Sequence, residues 1–238
     1  PAGTEPHDWE PSPRTIAQLQ EADVFIYHGA GFEHWTQKVL ETLDNPDLLV
    51  VEAAAGVPLL TSDEGDQDSH VWLSIKRAKA EMENIKNALV SADPANAAVY
   101  EENFAAYSAK FDALDKTYME TLEALPNKSI VVSHQAFGYL CADYGLTQES
   151  IEGLSAEYEP DPQRMAEIVE FAREHQVKTI FFEELVSSKA ADAIAAELDI
   201  QTQILNPLEG LTQEQLDQGD DYLSVMEQNL QALVTALQ

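Results

Sequence analysis

The sequence predicts an α/β protein of two lobes, each with a parallel sheet, joined by one long rigid helix. Short apolar runs alternate with amphipathic segments in both halves of the chain, and strands that alternate with helices imply parallel sheets covered on both faces. The stretch between the halves has apolar residues at helical spacing and no strand pattern. A length of 238 residues suits one large or two small domains.

The first half opens with a proline-punctuated loop over residues 1–13, after which helices and strands alternate. Pro13 suits the first turn of a helix and Ser12 its N-cap, and this helix is expected to run to about residue 21. The elements expected next are a buried strand over residues 22–28, an amphipathic helix over 33–43 and a second strand over 48–52.

Residues 74–125 predict two helices, because only Asp93 and Pro94 interrupt the helical spacing of apolar residues. Asp93 suits an N-cap and Pro94 a first helical position. The second helix would span about 32 residues and about 48 Å at 1.5 Å per residue. The absence of strict heptads favours a connector over a coiled coil. The predicted organisation is an N-terminal lobe over residues 1–93, the connecting helix over 94–125 and a C-terminal lobe over 126–238.

The second half resumes the alternation after the connecting helix. The predicted elements are strands over residues 129–133, 179–183 and 202–205, and helices over 137–144, 162–175, 187–198 and 221–237. A loop is expected over residues 153–162.

The charge balance restricts the partners. The chain has 43 acidic and 13 basic residues, a formal net charge of −30, which disfavours nucleic acid and anionic membrane surfaces. Metal cations and basic proteins are the partners that such a field attracts, although the acidity also has a simpler explanation in solubility. No apolar run approaches the ~18 residues of a membrane span, so no direct membrane insertion is expected. The single cysteine, Cys141, allows no internal disulfide and is expected to be buried.

Three of the six histidines occupy unusual positions. His7 lies in the opening loop, His70 ends an acidic segment, and His134 directly follows a predicted buried strand. The carboxyl end of such a strand is where open α/β sheets bind ligands. No local metal motif joins these histidines, so any site must be assembled by the fold. His28, His34 and His175 are interpreted as structural.

Five segments of the sequence together resemble a known family. They read PHDWEPSP, DSHVWL, VVSHQAFGYL, TIFFEELVSSKAADAIAAEL, and LNPLEGLTQEQ followed by DDYLSVMEQNL. In this order they resemble the cluster A-I solute-binding proteins of bacterial ABC transporters, which bind zinc or manganese, and more closely the zinc branch. The predicted connecting helix resembles the rigid helix of that family.

The resemblance implies four metal ligands. His7, His70 and His134 match the family's first three ligand positions, and Glu209 matches the fourth, acidic one. Manganese-binding relatives usually have a glutamate at the third position, so His134 indicates zinc, with Mn²⁺ as the second choice. Three imidazoles and one carboxylate suit four-coordinate Zn²⁺. Ser69 replaces the usual proline before His70, and together with Gly65 it predicts a soft loop there.

The resemblance also implies a role in transport, without catalysis. The protein would capture Zn²⁺ between its lobes outside the cytoplasm, in the periplasm or as a lipid-anchored surface protein, and deliver it to an ABC transporter permease. A monomer is expected. The alternatives are a zinc-dependent hydrolase, a manganese-binding member, and a metal-dependent surface adhesin of the same family.

Three features leave the interpretation open at particular residues. Glu183 and Glu184 follow a predicted strand and would either support the site or bind the metal directly. The carboxylates Asp63, Glu64, Asp66 and Asp68 would either gather cations weakly or form a solvated loop, and the second interpretation is preferred. Relatives normally have a strand and a helix before the first ligand, whereas this chain starts six residues before His7, so either the sequence omits that part or the first lobe lacks it.

Overall fold

The computed structural model describes residues 2–3, 6–7, 9–62, 65–154 and 160–238. It divides into two compact units, and the division falls inside the long helix. The first unit is His7–Ala113, and the second unit combines Pro1–Pro6 with Leu114–Gln238. Each unit has its own parallel sheet, which confirms the predicted α/β class.

The first unit places helices beside a parallel pair of strands. Its strands, β1 and β2, pair from Val24 opposite Leu49 to Tyr27 opposite Glu52. The Ser12 hydroxyl accepts a hydrogen bond from the Thr15 amide at 3.2 Å, and so caps the first helix as predicted. The elements are α1 (Pro13–Gln20), β1 (Val24–Tyr27), α2 (Thr36–Leu40), β2 (Leu49–Glu52) and α3 (Ile75–Ala92). The long helix α4 (Ala97–Glu123) begins in this unit and ends in the second.

The long helix is present but shorter than predicted. A 3₁₀ turn, Pro94–Asn96, separates α3 from α4, so α4 has 27 residues and a length of about 40 Å. The Asp93 carboxylate accepts hydrogen bonds from the side chains of Asn96 at 2.7 Å and Tyr100 at 2.9 Å, which stabilises the turn. Within the described residues, no helix combines the length and the apolarity that crossing a membrane requires.

The second unit is built on a sheet with strand order β4-β3-β5-β6, in which all neighbours are parallel. Its core contains the fully buried Val131, Ile180, Ile168 and Ile194. The elements are β3 (Ser129–Val132), α5 (Gly138–Tyr144), β4 (Thr147–Ser150), α6 (Pro162–Glu174), β5 (Thr179–Phe182), α7 (Lys189–Leu198), β6 (Gln201–Ile204), α8 (Gln213–Gln218) and α9 (Tyr222–Leu237).

Two elements of the second unit were missed by the sequence analysis. Strand β4 reads TQES, which lacks the apolar pattern of a buried strand, and it lies at the edge of the sheet. Helix α8 has six residues, too few for a clear helical period, and it is stabilised by a capping box between Thr212 and Gln215.

The carboxyl ends of the strands carry the polar side chains that matter for function. His28 follows β1, His134 follows β3 by two residues, and Glu183 follows β5 directly. Since parallel strands end at the same edge of a sheet, β3 and β5 bring His134 and Glu183 to one place in the second unit.

The turn after β1 depends on a glycine. Gly29 has φ of +89°, and a Cβ atom there would lie 2.2 Å from Cγ of Glu52, whose Oε1 accepts a hydrogen bond from the Ala30 amide at 3.2 Å. Gly31 has φ of +84° but an added Cβ would meet nothing within 4 Å. Gly31→Ala is therefore expected to cost about 1–2 kcal/mol from the positive φ alone. Gly29→Ala should cost about 1–2 kcal/mol more, because Glu52 must also move and its hydrogen bond is lost.

Urea unfolding of the two variants measures this difference directly. Equal losses of unfolding free energy in the two variants would show that Glu52 does not pack against Gly29 as described.

Candidate metal centre

In the first unit, two of the predicted ligands lie side by side. The ring centroids of His7 and His70 are 5.4 Å apart, with an interplanar angle of 59°. His70 is completely buried, and His7 is half-buried with its ring edge-on to Phe32 at 4.9 Å. The fold thus brings together two histidines that are 63 positions apart in the sequence.

Asp68 holds His70 at two points. One carboxylate oxygen, Oδ1, accepts the His70 backbone N–H at 2.9 Å and lies 2.8 Å from its ring Nδ1. A carboxylate on one ring nitrogen fixes the tautomer and makes the other nitrogen a better metal ligand. Because Nδ1 faces Asp68, Nε2 is the nitrogen of His70 that suits a metal.

The acidic segment is therefore more than a solvated loop, which corrects the preferred interpretation at Asp68. Asp68 and Ser69 are buried, whereas Asp66 is exposed. The other two carboxylates of that segment, Asp63 and Glu64, lie outside the described residues. The sequence signal for Asp68 was its position two residues before a candidate ligand, where a short acidic side chain can reach the following backbone N–H.

Aromatic rings surround the histidine pair within the first unit. The Trp72 ring lies 5.4 Å from that of His70 and 4.8 Å from that of His28, and the Phe32 ring lies 5.1 Å from that of Trp72. Such apolar walls reduce the local dielectric and limit the orientations that the imidazole rings can take.

In the second unit, the other two predicted ligands form a direct contact. Nε2 of His134 lies 3.1 Å from Oε1 of Glu209, and its Nδ1 lies 2.6 Å from Oε1 of Glu183. His134 is 1% exposed. Burial by itself lowers the pKa of His134, but hydrogen bonds to Glu183 and Glu209 raise it to about 10. An imidazolium donating to both carboxylates is therefore the stable form at neutral pH without a metal.

The carboxylate pair after β5 divides into two roles. Glu183 is buried and faces Nδ1 of His134, which places it behind the imidazole in a supporting position. Glu184 accepts a hydrogen bond from the side chain of Gln215 at 3.0 Å. The Ser133 hydroxyl donates a hydrogen bond to the backbone carbonyl oxygen of Phe181 at 3.2 Å.

The three remaining histidines lie in structural settings. His28 is largely buried at the end of β1, and His34 is exposed on the surface, 3.8 Å from the Glu10 carboxylate. His175 caps the C-terminal end of α6 and stacks on Phe171 with ring centroids 4.2 Å apart. A positive charge at a helix C-terminus is favourable.

The two pairs have the donor chemistry of a zinc site. Imidazole nitrogen and carboxylate oxygen are both common zinc ligands. His70 and His134 each have a carboxylate on Nδ1, the arrangement that typically supports metal-binding histidines.

Comparisons with known proteins agree with this chemistry. The family model described as zinc-uptake complex component A, periplasmic (ZnuA), matches residues 1–236. The high-affinity zinc uptake system protein ZnuA of Bacillus subtilis is 40% identical over 251 aligned positions, which cover 100% of this chain and 79% of that protein. The zinc-binding lipoprotein AdcA of Streptococcus pneumoniae is 42% identical over 98% of this chain, but the chain spans only 49% of its length.

A solved structure gives the same result. The Zn(II)-bound ZnuA-like domain of S. pneumoniae AdcA superimposes with a TM-score of 0.87 and 42% identity, covering 99% of this chain and 88% of that domain. Since the family model spans nearly the whole chain and the fold agrees with a solved member, the chain belongs to the ZnuA family of zinc-uptake components.

Proposed function

We propose that this protein captures Zn²⁺ outside the cytoplasm and delivers it to the permease of an ABC importer. The ion is its cargo, and His7, His70, His134 and Glu209 are its ligands. His7 and His70 belong to the first unit, and His134 and Glu209 belong to the second. The protein is a binding component, and no reaction is catalysed.

The observation that carries this proposal is the setting of His134. In the metal-free form, a proton on Nε2 lies between the imidazole and Oε1 of Glu209. Zn²⁺ is also positively charged and can bind both Nε2 of His134 and a carboxylate oxygen of Glu209, so it would replace that proton. Glu183 would keep its hydrogen bond from Nδ1 of His134. A histidine whose two nitrogens face two carboxylates is thus suited to exchange a proton for a metal cation.

The choice of zinc over manganese follows from the donor set. Manganese prefers a larger share of oxygen ligands, whereas three imidazoles and one carboxylate match the usual nitrogen-rich zinc sites. Asp68 and Glu183 both lie against Nδ1 atoms and so add support to the imidazoles rather than oxygen ligands to the metal.

Location and partner follow from family membership and charge. Relatives are named as a periplasmic component or as a lipoprotein, which supports a place outside the cytoplasm for this chain. The formal net charge of −30 favours cations and disfavours nucleic acid. The permease is the expected macromolecular partner, and a monomer is the expected state in solution.

Metal analysis under competition tests the proposal. The metal-free protein is equilibrated with equal, excess concentrations of Zn²⁺ and Mn²⁺, separated from unbound metal and analysed for both. One zinc and almost no manganese per chain is expected, and His34→Ala should behave like the unchanged protein because His34 is an exposed surface residue. Stoichiometric manganese, or no metal at all, would overturn the proposal.

A further inference from the structure

His28 lies in the first unit and belongs to none of the predicted ligand positions, yet it contacts the segment that carries His70. Its Nε2 is 2.7 Å from the backbone carbonyl oxygen of Ser69, the residue directly before His70. The carbonyl can only accept, so the proton of this hydrogen bond is on Nε2 of His28.

The peptide group that joins Ser69 to His70 is held at both ends. Its carbonyl oxygen accepts from His28 and from the Val71 backbone N–H at 2.8 Å, and its N–H donates to Oδ1 of Asp68 at 2.9 Å. A peptide group is planar, so two hydrogen bonds from opposite sides fix its orientation. That orientation in turn sets the direction in which the Cα–Cβ bond of His70 points.

His28 is itself held in place by its surroundings. Its backbone N–H donates to Oε1 of Glu33 at 2.8 Å, and its ring meets Trp72 edge-on at 4.8 Å. Its Nδ1 lies 3.7 Å from Oε1 of Glu81, a buried carboxylate oxygen for which no hydrogen bond is found among the described residues. A buried polar atom is costly without a polar partner, and Nδ1 of His28 lies beside this one.

The charge state of His28 agrees with this geometry. Burial lowers the pKa of His28, but Glu81, the Ser69 carbonyl and Glu33 raise it by more, so the result lies above the ordinary value. When the ring is protonated, it has a proton on each nitrogen, one for the Ser69 carbonyl and one on the side of Glu81.

We propose that His28 is a positioning residue for metal binding, which orients His70 through the Ser69 carbonyl. This inference rests on the proposed function, since it concerns the same metal. Without the hydrogen bond from His28, the Ser69 carbonyl keeps only the short-range bond from the Val71 N–H among the described residues, so the Ser69–His70 peptide is held less firmly and zinc binding must supply more of the entropy of ordering it. Loss of a residue that supports a ligand typically weakens metal binding by about 10- to 100-fold.

Two substitutions separate the two nitrogens of His28. A glutamine amide reaches about as far as Nε2 and an asparagine amide about as far as Nδ1. His28→Gln therefore keeps a donor for the Ser69 carbonyl, whereas His28→Asn keeps only the donor on the Glu81 side. The zinc dissociation constant, measured against a chelator of known affinity, should rise at least tenfold in His28→Asn and less than threefold in His28→Gln. His34→Gln is the matched surface control and should bind like the unchanged protein.

A double-mutant cycle tests whether His28 acts through the peptide. Asp68→Asn weakens the other support of the Ser69–His70 peptide, so its effect should be non-additive with that of His28→Asn. Glu183→Gln acts on His134 in the second unit, so its effect should add to that of His28→Asn. Additivity in both cycles, or an affinity of His28→Asn within twofold of the unchanged protein, would overturn the inference.

A measurement on the unchanged protein remains decisive if His28→Asn fails to fold. Nitrogen-15 NMR of the histidine side chains in the metal-free protein should show Nε2 of His28 protonated at neutral pH. An unprotonated Nε2 would overturn the inference. If the unchanged protein binds no zinc, the proposed function fails instead, and the NMR result still decides the hydrogen bond.

Discussion

Replacing His134 with alanine is expected to weaken zinc binding by about 100- to 1,000-fold. A four-ligand zinc site typically contributes about 10–16 kcal/mol, so one ligand accounts for about 2.5–4 kcal/mol, and each 1.4 kcal/mol is a factor of ten. The buried position of His134 makes replacement of the lost ligand by water difficult, and the substitution also removes the imidazole that both Glu183 and Glu209 contact. Calorimetric titration against a competing chelator measures the loss.

Two other variants serve as controls for the effect of His134→Ala on zinc affinity. His175→Ala removes a histidine from the second unit that stacks on Phe171, and it should leave zinc affinity unchanged. Glu183→Gln should weaken binding by only about 10- to 100-fold, because it removes support for His134 and leaves the ligand. An affinity of His134→Ala within tenfold of the unchanged protein would show that His134 is not a ligand.

His70→Ala is expected to lose as much zinc affinity as His134→Ala, whereas the sequence predicts a smaller loss. Gly65 and Ser69 predict a soft loop whose histidine could be replaced by water or by nearby carboxylates. In the structure, however, His70 is completely buried, and its peptide is held by Asp68 and His28. A ligand in such a setting is as well positioned as one that follows a strand.

The sequence predicted the parts of the fold that depend on hydrophobic periodicity. Strands β1, β2, β3 and β5 and the long helices have regular apolar patterns, and each was expected within a few residues of its observed bounds. Strand β4 was missed because an edge strand that reads TQES is held mainly by backbone hydrogen bonds, which leave no trace in the side-chain pattern.

The residues of the metal site could likewise be predicted from periodicity only where they follow elements with a regular apolar pattern. His134 and Glu183 follow strands, so periodicity and the rule for parallel sheets were enough to select them as candidates. Glu209 lies in a loop without periodicity, and only the resemblance to a family pointed to it. The roles of Asp68 and His28 depend on hydrogen bonds to one peptide group, and no sequence pattern encodes the direction of a carbonyl.

The pKa of His134 predicts a strong pH dependence of zinc binding. Between the ordinary histidine value of about 6.5 and its raised value of about 10, zinc must displace one proton from His134, so affinity should rise about tenfold per pH unit. Between pH 7 and 9 this amounts to about 100-fold. A histidine with an ordinary pKa would give almost no change in that range, because it is already neutral.

The raised pKa of His134 also determines whether rising pH stabilises or destabilises the metal-free protein. The pKa of His134 is higher in the folded than in the unfolded chain, so its bonds to Glu183 and Glu209 stabilise the metal-free protein fully below about pH 6.5. That contribution is lost as the pH rises through about 10. Rising pH therefore strengthens zinc binding and weakens the metal-free form, and both effects favour the zinc-bound state.

Proton release on zinc binding tests this account. Titrations at pH 8 in two buffers of different ionisation enthalpy should show about one proton released per zinc, and chelator competition should follow the slope from pH 7 to 9. Glu183→Gln removes one of the two carboxylates that raise the pKa of His134, so its slope should flatten towards the upper end of that range. An affinity that stays constant from pH 7 to 9, with no proton released, would mean that His134 is already neutral before zinc arrives, and the exchange of a proton for a metal ion at Nε2 would not occur.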